Sequence, residues 1–209
     1  MNAVAEVANS PIFTVEDLIH RLGDIPPNRI RLRPAPGEAS VRDAAKAERC
    51  ELIDGVLVEK AMGFEESEIT STLIILLGSF VRRHKLGKVM PPDAMVELLP
   101  NQVRIPDVAF FSNERLAKKK KGQAVPKIAP NLAIEVLGKG NTKKEMDRKL
   151  RDYFEAGVET VWLVDSVKQT VRVCSGAGEC ITPRSGDVLK GDPTVPGFSV
   201  SVDEVFADD

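Results

Sequence analysis

Residues 131–165 read NLAIEVLGKGNTKKEMDRKLRDYFEAGVETVWLVD. The first seven form a short apolar run of strand length, interrupted by the carboxylate of Glu135. Thr142-Lys-Lys-Glu145 is a capping box that opens a helix over 142–156, and Gly157 closes it. Met146, Leu150, Tyr153 and Phe154 define the apolar face of that helix. A second apolar strand spans 159–165. The order strand, helix, strand predicts a right-handed crossover between parallel strands.

Working outward, strands are expected at 94–99 and 103–111 before this unit, and at 170–174 after it. A long helix is predicted over 64–85, with Ile69, Leu73, Leu76, Leu77 and Phe80 at helical spacing. A hairpin is predicted over 49–60, turning at Asp54-Gly55, a type I′ signal. Further upstream, Thr14 to Asp17 opens a short helix ended by Gly23. Pro26, Pro27, Pro34, Pro36 and Gly37 mark 24–48 as mostly loop, with a short helix around 40–47. Residues 1–13 read as a tail and 112–130 as a polar connection. The pattern as a whole predicts an α/β fold with a mixed central sheet flanked by helices.

The 209 residues suffice for one domain with decoration, and 43% hydrophobic with 29% charged residues is the balance of a globular chain. The formal net charge of −2 argues against a whole-molecule nucleic-acid coat and assigns any such binding to a local patch. Cys50, Cys174 and Cys180 are an odd set without CxxC spacing, so reduced thiols in a cytoplasmic protein are the expectation, although the spacing leaves a Cys174–Cys180 pair open. No stretch is apolar for long enough to predict a membrane span or a signal peptide.

Two strands carry a charge where apolar residues are expected. Asp107 interrupts Val103-Arg-Ile-Pro-Asp-Val-Ala-Phe-Phe111, and Glu135 interrupts 131–137. An unpaired ionised carboxylate removed from water costs several kcal/mol or more. Such a group is therefore paired, solvated at a strand end, or at work in a site. Two of them on neighbouring strands favour a site. Lys149 stands three residues from Met146 and four from Tyr153, which directs it along the edge of the helix face towards the sheet; a lysine snorkelling to water has the same spacing. Carboxylate oxygens suit a hard divalent cation such as Mg²⁺ or Mn²⁺. Such an ion beside a lysine suits phosphodiester hydrolysis. Two histidines and the absence of GxxxxGK[ST], GxGxxG and GxSxG patterns leave other nucleotide or hydrolase chemistries without support.

Ile105-Pro-Asp-Val108, Ile134-Glu-Val-Leu137 and Met146-Asp-Arg-Lys-Leu-Arg-Asp-Tyr153, in this order and spacing, resemble the Uma-type restriction endonuclease family of the PD-(D/E)xK nuclease superfamily. Glu51-Leu-Ile-Asp-Gly55 and the segment from Gly157 to Asp165 fit the same family, and the resemblance spans about 49–206. It implies a restriction-endonuclease-like core over 49–209, preceded by an extension over 1–48. It also implies metal-dependent cleavage of DNA, and often a homodimer. By this resemblance Asp107 and Glu135 are catalytic and bind metal, Lys149 is the catalytic lysine, and Glu51 matches a further acidic position. Glu65 or Glu66 could supply that acidic group instead. The chain departs from the superfamily pattern at Leu137, where a lysine would stand. It departs again at Gly138-Lys139, where the family has Ser-Pro, so Lys139 could compete with Lys149.

Between Lys139 and Arg151 six basic side chains face two acidic ones. Lys139, Lys143, Lys144 and Arg148 are thus candidate phosphate contacts, with a solvated helix face as the plain rival. The departures at 137–139 keep an alternative open, a degenerate nuclease fold that binds nucleic acid or protein without cutting. A protein whose carboxylates merely form ion pairs is the third reading.

Overall fold

The computed structural model describes residues 14–31, 38–47, 49–60 and 63–207. The tail over 1–13 and the cluster Pro34, Pro36 and Gly37 lie outside them. From the N-terminal side come α1 (Val15–Arg21), a 3-10 turn (Pro27–Arg29), β1 (Ile30–Arg31), α2 (Val41–Ala44), β2 (Cys50–Ile53), β3 (Val56–Glu59) and α3 (Phe64–Arg83). Next are β4 (Gly87–Met90), β5 (Val96–Leu99), β6 (Gln102–Arg104), β7 (Val108–Ser112), α4 (Asn113–Ala117) and β8 (Leu132–Leu137). The chain continues through α5 (Lys143–Glu155), β9 (Thr160–Asp165), β10 (Thr170–Gly176), β11 (Glu179–Ile181), β12 (Val188–Lys190), β13 (Ser199–Ser201) and α6 (Val202–Val205).

The larger sheet has six strands in the order β11-β10-β9-β8-β7-β4. Only its β8–β9 pair is parallel, the pair that α5 connects. The fold is therefore mixed α/β. Side-chain alternation along each strand divides the core in two. Leu132, Ile134 and Val136 of β8, with Trp162 and Val164 of β9, pack against Leu73, Leu77 and Val81 of α3. Ala133, Val161 and Leu163 point the other way, against Met146, Leu150 and Tyr153 of α5. Glu135 shares the parity of Ala133 and so lies on the α5 side.

A second sheet, β1-β3-β2-β6-β5, is built on the predicted hairpin. Asp54 and Gly55 both adopt positive φ, 49° and 74°, as a type I′ turn requires. The strand expected over 103–111 is in fact two strands in different sheets. Pro106 cannot donate to a ladder, and the stretch Ile105-Pro106-Asp107 carries the chain from β6 in the small sheet to β7 in the large one. Asp107 thus stands at the seam between the sheets. The polar connection expected over 112–130 contains α4, opened by the Ser112 side chain accepting from the Arg115 amide. Gly87, expected only to end the long helix, also begins an edge strand, β4.

The expectation of reduced thiols fails for two of the three cysteines. Cys174 and Cys180 form a disulfide. The turn between β10 and β11 is tight enough to place them directly opposite one another. Cys50 is free and buried. Among the described residues no helix is long and apolar enough to cross a membrane.

The segment before the hairpin docks onto the start of α5. The Thr142 hydroxyl donates to the Gly23 carbonyl, and Arg29 grips Glu145 through two hydrogen bonds of 3.0 and 3.2 Å. Gly23 has φ of +94°, and a β-carbon there would lie 2.7 Å from the Glu145 Cα. Gly23→Ala is expected to cost about 1–3 kcal/mol through strain. A thermal melt several degrees below wild type would register it, and an unchanged melt would mean that this docking does not hold α5 in place.

Candidate active site

Local sequence explains how each charged group arrives. Glu51 lies on β2 and, with Ile53, faces away from the Cys50 and Leu52 cluster. Asp107 follows Pro106 at the entry to β7, and its amide donates to the Ile134 carbonyl at 3.0 Å. That pairing sets Asp107 beside β8, where its Oδ2 accepts from the Val136 amide at 2.8 Å. Lys149 and Tyr153, one turn apart on α5, reach the same place from above the sheet.

Asp107, Glu135, Lys149 and Glu51 meet in one buried cluster. Lys149 Nζ is 3.0 Å from Glu135 Oε2 and 3.3 Å from Glu51 Oε1. The Tyr153 hydroxyl donates to Glu135 Oε1. Four participants were not anticipated from sequence. Lys60, just past β3, places Nζ 2.9 Å from Asp107 Oδ1 and 3.3 Å from Glu135 Oε2, and donates to the Ile105 carbonyl. Arg104 pairs with Glu51 Oε2 at 2.8 Å and with Asp152. Tyr153 was counted only as apolar. Arg104 was within reach of the rule applied to Asp107, since it too is a charge in an apolar strand.

The electrostatics follow from burial and these partners. Burial pushes the Asp107 carboxyl up, Lys60 opposes this, Glu135 adds to it, and the net direction is upward. Burial also acts on Glu135, but Lys149 and Lys60 outweigh it and hold the carboxyl below its ordinary range. Glu51 is held low in the same way by Lys149 and Arg104. For Lys60, burial is overcome by Glu135 and Asp107, which raise it. Burial, reinforced by the charges of Glu135 and Glu51, raises the Tyr153 phenol well above its usual value, which keeps it a donor.

The other candidates lie elsewhere. Glu65 is exposed, and Glu66 packs over Gly138, where a β-carbon would come within 2.4 Å of its Oε1. Lys139 is exposed, and among the described residues it is Lys149 rather than Lys139 that contacts Glu135. Lys143 pairs with Asp147 and Lys144 with Asp24, both at the surface. Arg148 is committed inside the fold, with a two-pronged grip on Asp54 at 2.9 and 3.0 Å and a bond to the Arg21 carbonyl.

Among the described residues no group of three or more His, Cys, Asp or Glu side chains is arranged as a ready metal cage. The donors nonetheless suit Mg²⁺, which is held by one or two carboxylates with water and substrate phosphate completing its shell. Asp107 Oδ1 is buried, and its one neighbour among the described donors is the Lys60 ammonium, which it shares with Glu135.

The fold is shared with the crystal structure of a putative nuclease belonging to DUF820 from Anabaena variabilis. That structure superposes with a TM-score of 0.71 at 18% identity, over 82% of this chain and 98% of that one. The chain belongs to the Uma2 family, described as putative restriction endonuclease, whose model matches residues 40–203. No curated protein matches it. Family membership supports a nuclease-like function.

Proposed function

We propose that this protein is a divalent-metal-dependent endonuclease that hydrolyses phosphodiester bonds of DNA, with Asp107, Glu135 and Lys149 as its catalytic groups. The observation that carries this reading is that Asp107 Oδ1 and Glu135 Oε2 converge on one point, both lying within 3.3 Å of the Lys60 ammonium, beside the buried ammonium of Lys149. Asp107 and Glu135 would hold Mg²⁺ or Mn²⁺, with Glu51 close behind Lys149. Such an ion would supply Lewis-acid stabilisation of the negative charge on the phosphoryl oxygens. Lys149 fixes Glu135 from one side and Tyr153 fixes it from the other, which limits reorganisation around the reacting group. The fixed ammonium also favours the negative charge that builds up at the phosphoryl group.

A second reading draws on the balance of the cluster. Lys60, Arg104 and Lys149 already face Glu51, Asp107 and Glu135. A network neutral in itself needs no metal, as in a binding module that has lost catalysis. Titration calorimetry with Mn²⁺ distinguishes the two. The enzyme reading expects binding by the wild type that disappears in Glu135→Gln. It also expects plasmid nicking in Mg²⁺ or Mn²⁺ that stops when the metal is chelated. Absence of both the heat and the nicking would leave the binding module standing.

A further inference from the structure

Lys60 marks the point where the two carboxylates converge but has no chemical task in the reading above, and its ammonium sits in surroundings that a divalent cation would choose. Its three neighbours are two carboxylates and the Ile105 carbonyl, all hard oxygen donors. Asp107 Oδ1, one of the three, has the Lys60 ammonium at 2.9 Å and no other donor among the described residues.

The two buried lysines of the cluster also differ in what they can reach. The Lys149 side chain is 2% exposed and is enclosed by Glu51 and Glu135. The Lys60 side chain is 11% exposed and lines an open groove of about 430 Å³ between the hairpin side and α3. Arg49, Ser67, Thr70 and Ser71 line the same groove. Of these, Arg49 offers a cationic donor that a phosphate oxygen takes up, while the Ser67, Thr70 and Ser71 hydroxyls donate to the Gly63, Glu66 and Ser67 carbonyls, and Asp93 is an acidic side chain in the same lining. Ile105, whose carbonyl holds Lys60, also borders it. The groove therefore reaches Lys60, which stands between it and the two buried carboxylates.

We infer that Lys60 is a further working residue of the nuclease site: its ammonium takes the cation's place between Asp107 and Glu135 in the metal-free protein, and turns into the Arg49–Ser67–Ser71 groove to contact the substrate phosphate once a divalent ion enters. The inference rests on the nuclease reading of the site. A divalent cation and an ammonium repel each other at hydrogen-bond distance in a poorly solvated pocket, so the two exclude one another. The flexible four-carbon stem of lysine allows the swing, and the groove is where the displaced charge finds both water and a phosphodiester.

Lys60→Met is expected to tighten Mn²⁺ binding, measured by calorimetry, by roughly tenfold or more, while slowing plasmid nicking at saturating metal. A lysine with a merely structural role would not give this opposite pair of changes. Lys60→Arg, which keeps the charge and guards against a misfolded Met variant, is expected to bind Mn²⁺ no more tightly than the wild type. Unchanged or weaker Mn²⁺ binding in Lys60→Met would overturn the displacement, and undiminished nicking would overturn the substrate contact. If the wild type binds Mn²⁺ and Glu135→Gln does not, either failure belongs to Lys60 alone. If neither the wild type nor Lys60→Met binds Mn²⁺, the metal reading falls and takes this inference with it.

Discussion

Asp107→Asn is expected to abolish metal-dependent nicking while melting no lower than the wild type. The activity loss follows from losing one of two carboxylates available to the ion. Metal assistance is worth several kcal/mol. At about 1.4 kcal/mol per tenfold, a loss of roughly a thousandfold in rate is expected. The stability side follows from linkage. Burial and the nearby Glu135 charge raise the Asp107 carboxyl in the folded protein. An acid raised on folding binds its proton more tightly in the native state than in the unfolded chain. At neutral pH its ionised form therefore costs stability, and that cost disappears as pH falls through the raised value. Asparagine imposes the neutral state at every pH. It keeps an oxygen for the Val136 amide, and Lys60 keeps Glu135 and the Ile105 carbonyl. Thermal melts in metal-free buffer, run beside nicking assays, check both halves. A variant that still cuts would remove Asp107 from the site, and a large fall in melting temperature would make it a structural ion-pair residue. Function held at a cost to stability is what an active-site group is expected to show.

How far this arrangement could be read from sequence depends on the range of the signal. The β8–α5–β9 unit was legible because its cues are local: the capping box at Thr142 and Glu145, the stop at Gly157, and runs of strand length. The hairpin was legible through Asp54-Gly55. The break at Pro106 was visible in the sequence, but its consequence was not, because whether a proline ends a strand or sits at an edge depends on which sheet receives the next residues. Asp107 and Glu135 stood out as charges in apolar runs. Lys60 did not, since it follows β3 at a position where a solvated lysine is ordinary, and its partners lie far along the chain. Tyr153 fitted the apolar face of α5, and nothing local reveals that its hydroxyl meets a carboxylate. The commitment of Arg148 to Asp54 is likewise long-range, so local charge counting could not distinguish it from the exposed Lys143.

The largest stability effect is expected at Arg104, whose side chain is 1% exposed and links Glu51 to Asp152. Burial disfavours its charge, but Glu51 and Asp152 outweigh burial and raise it further above its ordinary value. Arg104→Met fills the volume but strands two carboxylates. Glu51 keeps Lys149 at 3.3 Å and the Ile105 amide at 3.2 Å, while Asp152 keeps Arg148 at 3.9 Å. Removing one partner of a buried ionic network costs about 3–5 kcal/mol. In a chain of this size that lowers the melting temperature by roughly 10 °C. Arg104→Lys is expected to recover little, because a single ammonium cannot reproduce a planar fork that spans both acids. Neutralising the stranded acids should recover more: Arg104→Met with Glu51→Gln and Asp152→Asn is expected to be more stable than Arg104→Met alone. Denaturant unfolding of this set measures the coupling. If Arg104→Met unfolds like the wild type, or if the added substitutions only lower stability further, Arg104 is not what neutralises these acids. The same experiment bears on catalysis, because Glu51 shares Lys149 with Glu135. A Glu51 released from Arg104 draws Lys149 away from Glu135, so the Arg104 variant is expected to lose cleavage in proportion to the disorder it spreads through that lysine.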